Sequence, residues 1–320
     1  MAAPALSPKL IEQWSDRRWR LNNLYWIEDK HGNVVPFALN EAQDRLLDEL
    51  HTLNIILKAR QMGFSTFILL LALDCCLFNS NFAAGLVADT LPNATNLLRR
   101  VKFAYERIPD EIKKIVPLTS DNTTEMQFGN GSSIMVGVSL RSGTFNFLHI
   151  SEYGKICAKA PLKAKEIRSG TLNTLAQGQL GFIESTAEGR AGDFYDKSQQ
   201  AQRIADSGRE PGVLEYKMHF FPWFADSGYR LDTRVNLSAE EREYFQSLRD
   251  EHGIVLTDQQ QWWYAVKARE QADDMWREYR STPEEAFKAA KQGAYLARHI
   301  RTLRQLCRIA LYHIVPRLPA

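Results

Sequence analysis

Cysteine is scarce in this chain: Cys75, Cys76, Cys157 and Cys307 are the only four in 320 residues. Their spacing suits neither a disulfide framework nor a zinc site. Charge of one sign is also missing, because 40 Lys and Arg stand against 38 Asp and Glu for a net +2. No chain-wide basic field therefore marks a nucleic-acid binder, and any such contact has to come from local patches. The start, Met-Ala-Ala-Pro, lacks the basic-then-apolar pattern of a signal peptide. Long hydrophobic runs are absent as well. The stretch 64–78 is apolar but interrupted by Asp74, and it falls short of the ~20 residues that a bilayer span needs. No membrane role is expected, and reduced thiols suit a cytoplasmic setting. Acidic residues are missing from 298–320, so that segment cannot supply a carboxylate metal cluster. No internal repeat or low-complexity tract is visible.

What is present is a globular composition, 44% hydrophobic and 24% charged, with ample material for a core. Apolar runs at 54–57, 82–87, 147–150, 180–184 and 214–221 read as strands. A Gly129-Asn130-Gly131 turn joins 124–128 to 133–138 as a hairpin. Helical spacing marks 94–108 and the segment after the N-cap Asn40, and 159–170 is expected to be a helix between two strands. Residues 8–30, rich in Trp, read as a helical lead-in, and His31-Gly32-Asn33 as a turn. Strands separated by helices predict an α/β fold with a mainly parallel sheet flanked by helices. From about Tyr229 the chain turns helical and polar, with starts at Ser238, Thr257 and Ser281.

The segment that carries most chemistry is Lys58, Ala59, Arg60, Gln61, Met62, Gly63, Phe64, Ser65 and Thr66. It sits between one apolar run and the next, where a strand passes through a tight loop into a helix. The usual phosphate loop reads G-x-x-x-x-G-K-[ST]. Gly63 and Ser65 occupy the second glycine and the hydroxyl positions, while Lys58 stands at the first glycine and Phe64 at the usual lysine. Backbone amides there form an anion cradle, Ser65 offers a hydroxyl to Mg²⁺, and Lys58 or Arg60 offers a cation to a terminal phosphate. The same residues also make an ordinary basic strand end and turn. Downstream, the strand 147–150 ends in Ser151-Glu152, where a carboxylate can polarise water; a capped turn reads the same way. Ser151 stands where an Asp usually supports the metal. Glu184-Ser185-Thr186-Ala187 offers small hydroxyls after another strand, suited to sensing a phosphate or to capping a helix. Gln43, preceded by Phe37, has an amide that can match an adenine edge, or belongs to a solvated helix start. Arg141 is a further phosphate candidate or a surface arginine, His149 reads as a packed strand histidine, and Trp262, Trp263 and Trp276 as packing or base-stacking rings.

Taken together, in order along the chain, Phe37…Gln43, 58–66, 148–152, 184–189, 220–224 and 279–287 resemble the large terminase subunit of tailed bacteriophages. The likeness covers roughly 37–290. It implies an additional-strand, RecA-like P-loop NTPase core with a small helical lid: a core at about 37–225, a lid from about 1–36 and 226–290, and a basic tail at 291–320 ending where a nuclease domain is expected. It implies an ATPase that uses ATP and Mg²⁺ to drive double-stranded DNA into the procapsid, without DNA cleavage by this polypeptide. By the same resemblance Glu152, Lys58 and Arg60 are catalytic, residues 58–66 and Gln43 bind nucleotide, Ser65 and Ser151 support Mg²⁺ directly or through water, and Ser185, Thr186 and Ala187 couple hydrolysis to movement. The implied partners are DNA, the portal protein, the small terminase subunit and further copies in a ring, all in the host bacterial cytoplasm. Alternatives are a helicase-like DNA-dependent ATPase, or an inactive prophage remnant that acts as a scaffold.

Overall fold

The computed structural model describes residues 7–141 and 143–287. The basic segment expected at 291–320, with Cys307, and the ring of Trp276 lie outside the described residues. A small antiparallel ribbon of β1 (Trp26–Glu28) and β2 (Val34–Pro36) turns through His31-Gly32-Asn33. The remaining strands, β3 (Leu53–Lys58), β4 (Ala83–Val87), β5 (Leu118–Asp121), β6 (Glu125–Phe128), β7 (Ser133–Gly137), β8 (Phe145–Ser151), β9 (Leu175–Ser185) and β10 (Tyr216–Phe221), form one sheet. Their order is β10-β3-β9-β8-β4-β7-β6-β5. From β10 to β7 every pairing is parallel, and the β6 and β5 pairings are antiparallel.

Burial explains the parallel part. β3 is buried at five of its six positions, as expected of a strand covered by helices on both faces. Ile56 joins one apolar cluster, with α4 (Phe64–Phe78) and α5 (Leu91–Glu106), while Ile55 and Leu57 join the other. That second cluster holds α7 (Tyr153–Lys159), α8 (Pro161–Ser169) and α9 (Asp193–Asp206). α4 is apolar all round and runs through the core, and its Asp74 is fully buried. Arg20 neutralises it with a two-point pair at 2.7 and 2.6 Å, and the Tyr25 hydroxyl donates to it at 2.9 Å. This fixes α2 (Arg17–Asn23), which follows α1 (Pro8–Ser15), onto the core. No described helix is long and apolar enough to cross a membrane.

Several expectations shift. The helical lead-in stops at Asn23 and gives way to β1. The helix expected at 159–170 is two, broken at Ala160, because Pro161 starts α8 and has no amide hydrogen to continue α7. β9 reaches back to Leu175. β5, an alternating edge strand held only by β6, was not anticipated.

α3 (Glu41–Asp48) precedes β3, and α6 (Asp110–Ile115) follows α5. After β10 come α10 (Ala239–His252), α11 (Asp258–Gln271), α12 (Met275–Glu278) and α13 (Pro283–Ala286). They pack through an aromatic stack in which Trp263 lies 5.2 Å from Trp223 and 4.5 Å from Tyr229. Trp263 is therefore a packing residue. The parallel register sets Leu57 opposite Ser185 and Ser151 opposite Glu184. The ends of β3, β9 and β8 thus meet at one edge, where ligands of such sheets bind.

Candidate active site

The loop from Lys58 to Phe64 turns tightly, with Gln61 at φ 57° and Gly63 at φ 74°. The left-handed backbone favours glycine at 63, and a Cβ there would lie 2.7 Å from Gln43 Nε2, so that side chain would have to shift. Gly63 is also the N-cap of α4 and brings no capping side chain. The first-turn amides of Phe64, Ser65 and Thr66 are left for an anion, which the helix dipole favours. The loop backbone is held from two sides. Ala59 donates to the Phe221 carbonyl at 3.0 Å and Arg60 to the Glu278 carbonyl at 2.9 Å, and the Tyr229 hydroxyl donates to the Arg60 carbonyl.

Gln43 sits beneath this loop. Its Nε2 donates to the Gly63 carbonyl at 3.0 Å and its Oε1 accepts from the Asn40 amide at 3.1 Å. It is buried and does not line the cleft. Both ends of the amide that was matched to an adenine edge are thus engaged in bracing the loop.

Lys58 reaches from the end of β3 to two carboxylates, Glu184 Oε2 at 3.0 Å and Glu152 Oε1 at 3.3 Å. Its side chain is 7% exposed, that of Glu184 0% and that of Glu152 35%. Burial works against the ammonium, but the two carboxylates outweigh it and hold the Lys58 pKa above the ordinary lysine value. One ammonium cannot satisfy both acids. Glu184 is buried, yet Lys58 and hydrogen bonds from His149 and Ser65 hold its pKa well below the ordinary carboxylate value. Glu152 goes the other way: burial raises it, Lys58 only partly compensates, and the negative Glu184 raises it further. Glu152 also sits at φ 55°, uncommon for a residue with a side chain, at the N-cap of α7. Such strain at a cleft is a pointer to function.

Three donors converge on Glu184 Oε1: Ser65 Oγ at 2.6 Å, Ser151 Oγ at 2.9 Å and His149 Nε2 at 3.4 Å. Ser151 is buried beneath the cleft and does not line it. Ser185 is buried with its Oγ unpartnered among the described residues, whereas Thr186 lines the cleft. The Ala187 carbonyl accepts from Arg280 Nη2 at 3.2 Å, and Arg280 Nη1 donates to the Lys58 carbonyl at 3.2 Å. Burial lowers the Arg280 pKa to about 9, with Glu278 and Glu188 acting against the shift.

The open side is a cleft of about 650 Å³ bounded by residues 60–66, Lys58, Glu152, Thr186 and Glu188. Its rim is mixed in charge, with Arg60, Arg100, Lys155, Lys159 and Arg277 beside Glu28, Asp29 and Glu278. Arg60 is largely exposed and 3.6 Å from Glu278, and Arg100 on α5 donates to Thr66 Oγ1. Arg141 is elsewhere, paired with Glu166 at 3.1 Å. The oxygen-only set of Ser65 backed by an ionised carboxylate suits a hard cation. Among the described residues no group of three or more His, Cys, Asp or Glu forms a metal cluster. Phosphate and water oxygens would complete a Mg²⁺ shell, as is usual for that ion.

The sequence reading missed Glu184 as a site residue, and also Arg100 and Arg280. Glu184 and Arg280 stood inside quoted segments. The signal for Glu184 was the Ser at 151, which leaves the strand end without the acid that a phosphate loop needs nearby.

No protein-family model matches the sequence, and no curated protein matches it. Among solved structures, the chain is similar to the large terminase of bacteriophage HK97, at TM-score 0.51 and 14% identity over 84% of this chain and 54% of that one. It also matches the large terminase ATPase domain of Thermus phage P74-26 (TM-score 0.44, 14% identity, 67% and 88% covered) and a large terminase from a thermophilic bacteriophage, solved with ATP-γ-S (0.39, 10%, 65% and 49%). The HK97 likeness shows the fold alone: a mostly parallel sheet flanked by helices.

Proposed function

We propose that this chain is an ATP-hydrolysing motor subunit of phage DNA packaging. The observation that carries this reading is the meeting, at one sheet edge, of a glycine-shaped anion loop, a buried ammonium from Lys58 and a strained, cleft-facing carboxylate at Glu152. In this reading residues 58–66 hold the triphosphate, with the amides of the α4 start facing it. Mg²⁺, supported from Ser65, would neutralise charge on the outer phosphates. Lys58 gives up part of its pairing to steady the charge that develops on the terminal phosphate. Glu152 orients the attacking water, and its raised pKa suits it to accept a proton. Arg60 lies at the rim, where it serves as a second cation.

Ser185, Thr186 and Ala187 form the coupling segment in this proposal. Thr186 is close enough to the cleft to register loss of phosphate, and Arg280 ties Ala187 to the Lys58 carbonyl. The proposed motor core takes in the sheet within 37–225 together with 17–25, which pack on α4 rather than form part of a lid, and the helical segment from 226 to 287 is the proposed lid. Double-stranded DNA, a portal, a small subunit and a ring of copies are the partners proposed. A helicase of the two-core kind is less favoured, because residues 226–287 hold helices and turns and no second sheet among the described residues.

Steady-state ATP hydrolysis with and without double-stranded DNA tests the proposal. Mg²⁺-dependent turnover that DNA stimulates is expected, and Lys58→Ala is expected to lose about 10²–10³ of it. Turnover indifferent to Lys58 would refute the assignment.

A further inference from the structure

We propose that Glu184 supplies the carboxylate that backs the Ser65 hydroxyl and the cation beside it, from the strand next to the one that lacks an acid. This rests on the nucleotide-binding reading above and deepens it. β8 ends at Ser151, which brings no charge. β9 lies between β8 and the phosphate-loop strand β3, and Glu184 stands directly opposite Ser151 on one side and Ile56 on the other. Neighbouring strands are about 4.8 Å apart, a gap that the longer Glu side chain helps to close.

The contacts show what this carboxylate does. A serine hydroxyl has one hydrogen, and that of Ser65 goes to Glu184 Oε1 at 2.6 Å. What Ser65 then presents to the cleft is oxygen lone pairs, the ligand a hard cation takes. Ser151 and His149 donate to the same oxygen, at 2.9 and 3.4 Å, and hold it in place. Oε2 faces Lys58 at 3.0 Å and accepts no hydrogen bond of good geometry among the described residues. Three side-chain donors are thus aimed at one edge of a fully buried carboxyl group. A strand needing only to pack would do better without it. Glu184 does not line the cleft. It acts through Ser65, as a positioning residue.

Titration of the protein with ATP-γ-S at varied Mg²⁺ separates the possibilities. Wild type is expected to bind the analogue more tightly with Mg²⁺. Glu184→Gln frees Lys58 of one counter-charge and is expected to bind the analogue without Mg²⁺ no more weakly than wild type, while the apparent Mg²⁺ affinity of the complex weakens about 10–100-fold, as loss of an outer partner of a metal ligand does. Ser151→Asp placed in the Glu184→Gln background returns a carboxylate to the paired position and is expected to restore most of the Mg²⁺ response. If Glu184→Gln alone does not fold, the double variant decides. A normal Mg²⁺ response in Glu184→Gln, or none in a folded double variant, overturns the inference. No analogue binding by wild type at any Mg²⁺ concentration instead defeats the nucleotide reading itself, and the inference with it.

Discussion

Two of the buried charge clusters among the described residues are built differently. Around Asp74, cations surround one acid: the carboxylate meets Arg20 in a two-point pair, Tyr25 donates to it, Arg20 gives its remaining Nη1 to the Trp14 carbonyl at 2.6 Å, and the half-exposed Arg17 stands 3.8 Å away with its Nε without a hydrogen bond among the described residues. The guanidinium also covers the Phe78 ring at 4.1 Å. Around Lys58, one ammonium faces two carboxylates, and Glu184 Oε2, His149 Nδ1 and Ser185 Oγ are left without hydrogen bonds among the described residues. The first cluster is closed and joins the lead-in helix to α4. The second is unbalanced and opens at Glu152 onto a cleft. In the first, cations outnumber the acid, away from the cleft; in the second, acids outnumber the cation and Glu152 faces the cleft.

The largest effect should come from Glu152→Gln, which keeps the shape and removes the base. Turnover is expected to fall about 10²–10⁴-fold while ATP-γ-S binding persists. Survival of turnover would place the open cluster's chemistry elsewhere. The same size of disturbance in the closed cluster should appear in stability. Asp74→Asn leaves the Arg20 charge buried without its counter-charge and is expected to cost about 3–5 kcal/mol, read by urea denaturation. If it costs under about 1 kcal/mol, a range typical of exposed pairs, the cluster is not closed in the sense argued.

Arg280→Met removes the donors that tie Lys58 to Ala187 while keeping an apolar stem. Stability is expected to drop by about 1–3 kcal/mol for the carbonyls left unpaired, and hydrolysis, measured on the folded protein, should lose its stimulation by DNA more than its basal rate. Equal loss of both would make Arg280 a plain packing residue.

The smallest effect is one of pH. The Glu152 carboxyl is raised above its ordinary 4.5, so the folded protein holds that proton more tightly than the unfolded chain does. Its ionisation therefore subtracts stability as pH climbs from 4.5 through the raised value. Glu184 is held below the ordinary 4.5, and its contribution, present above that pH, is lost as pH falls through the lowered value. Without nucleotide, Glu152→Gln is therefore expected to melt at or slightly above the wild-type temperature at a pH above the raised Glu152 value. A lower melting temperature there would mean that the carboxylate is structural, as Asp74 is.

Much of the sheet core was legible because its signals are local. The run into Lys58, Gly63 before a helix, and the strand ending at Glu152 each announce themselves within a few residues. Glu184 did not, since its meaning depends on register: it is 119 positions from Ser65 and 33 from Ser151. Arg280 is further still, 222 positions from the Lys58 carbonyl it holds. Gln43 was read as a free amide because nothing local shows the Gly63 carbonyl above it. β5 was missed because an edge strand of alternating exposure looks like a polar loop until its partner is known.

The central claim is that the Lys58 cluster is open because a triphosphate completes it. Calorimetric titration of ATP-γ-S with Mg²⁺ into wild type and Lys58→Ala tests this most directly. Saturable binding of one nucleotide per chain, weakened about tenfold or more (1.4 kcal/mol) in the variant, is the result expected; equal affinity in the two proteins, or none in wild type, would contradict it.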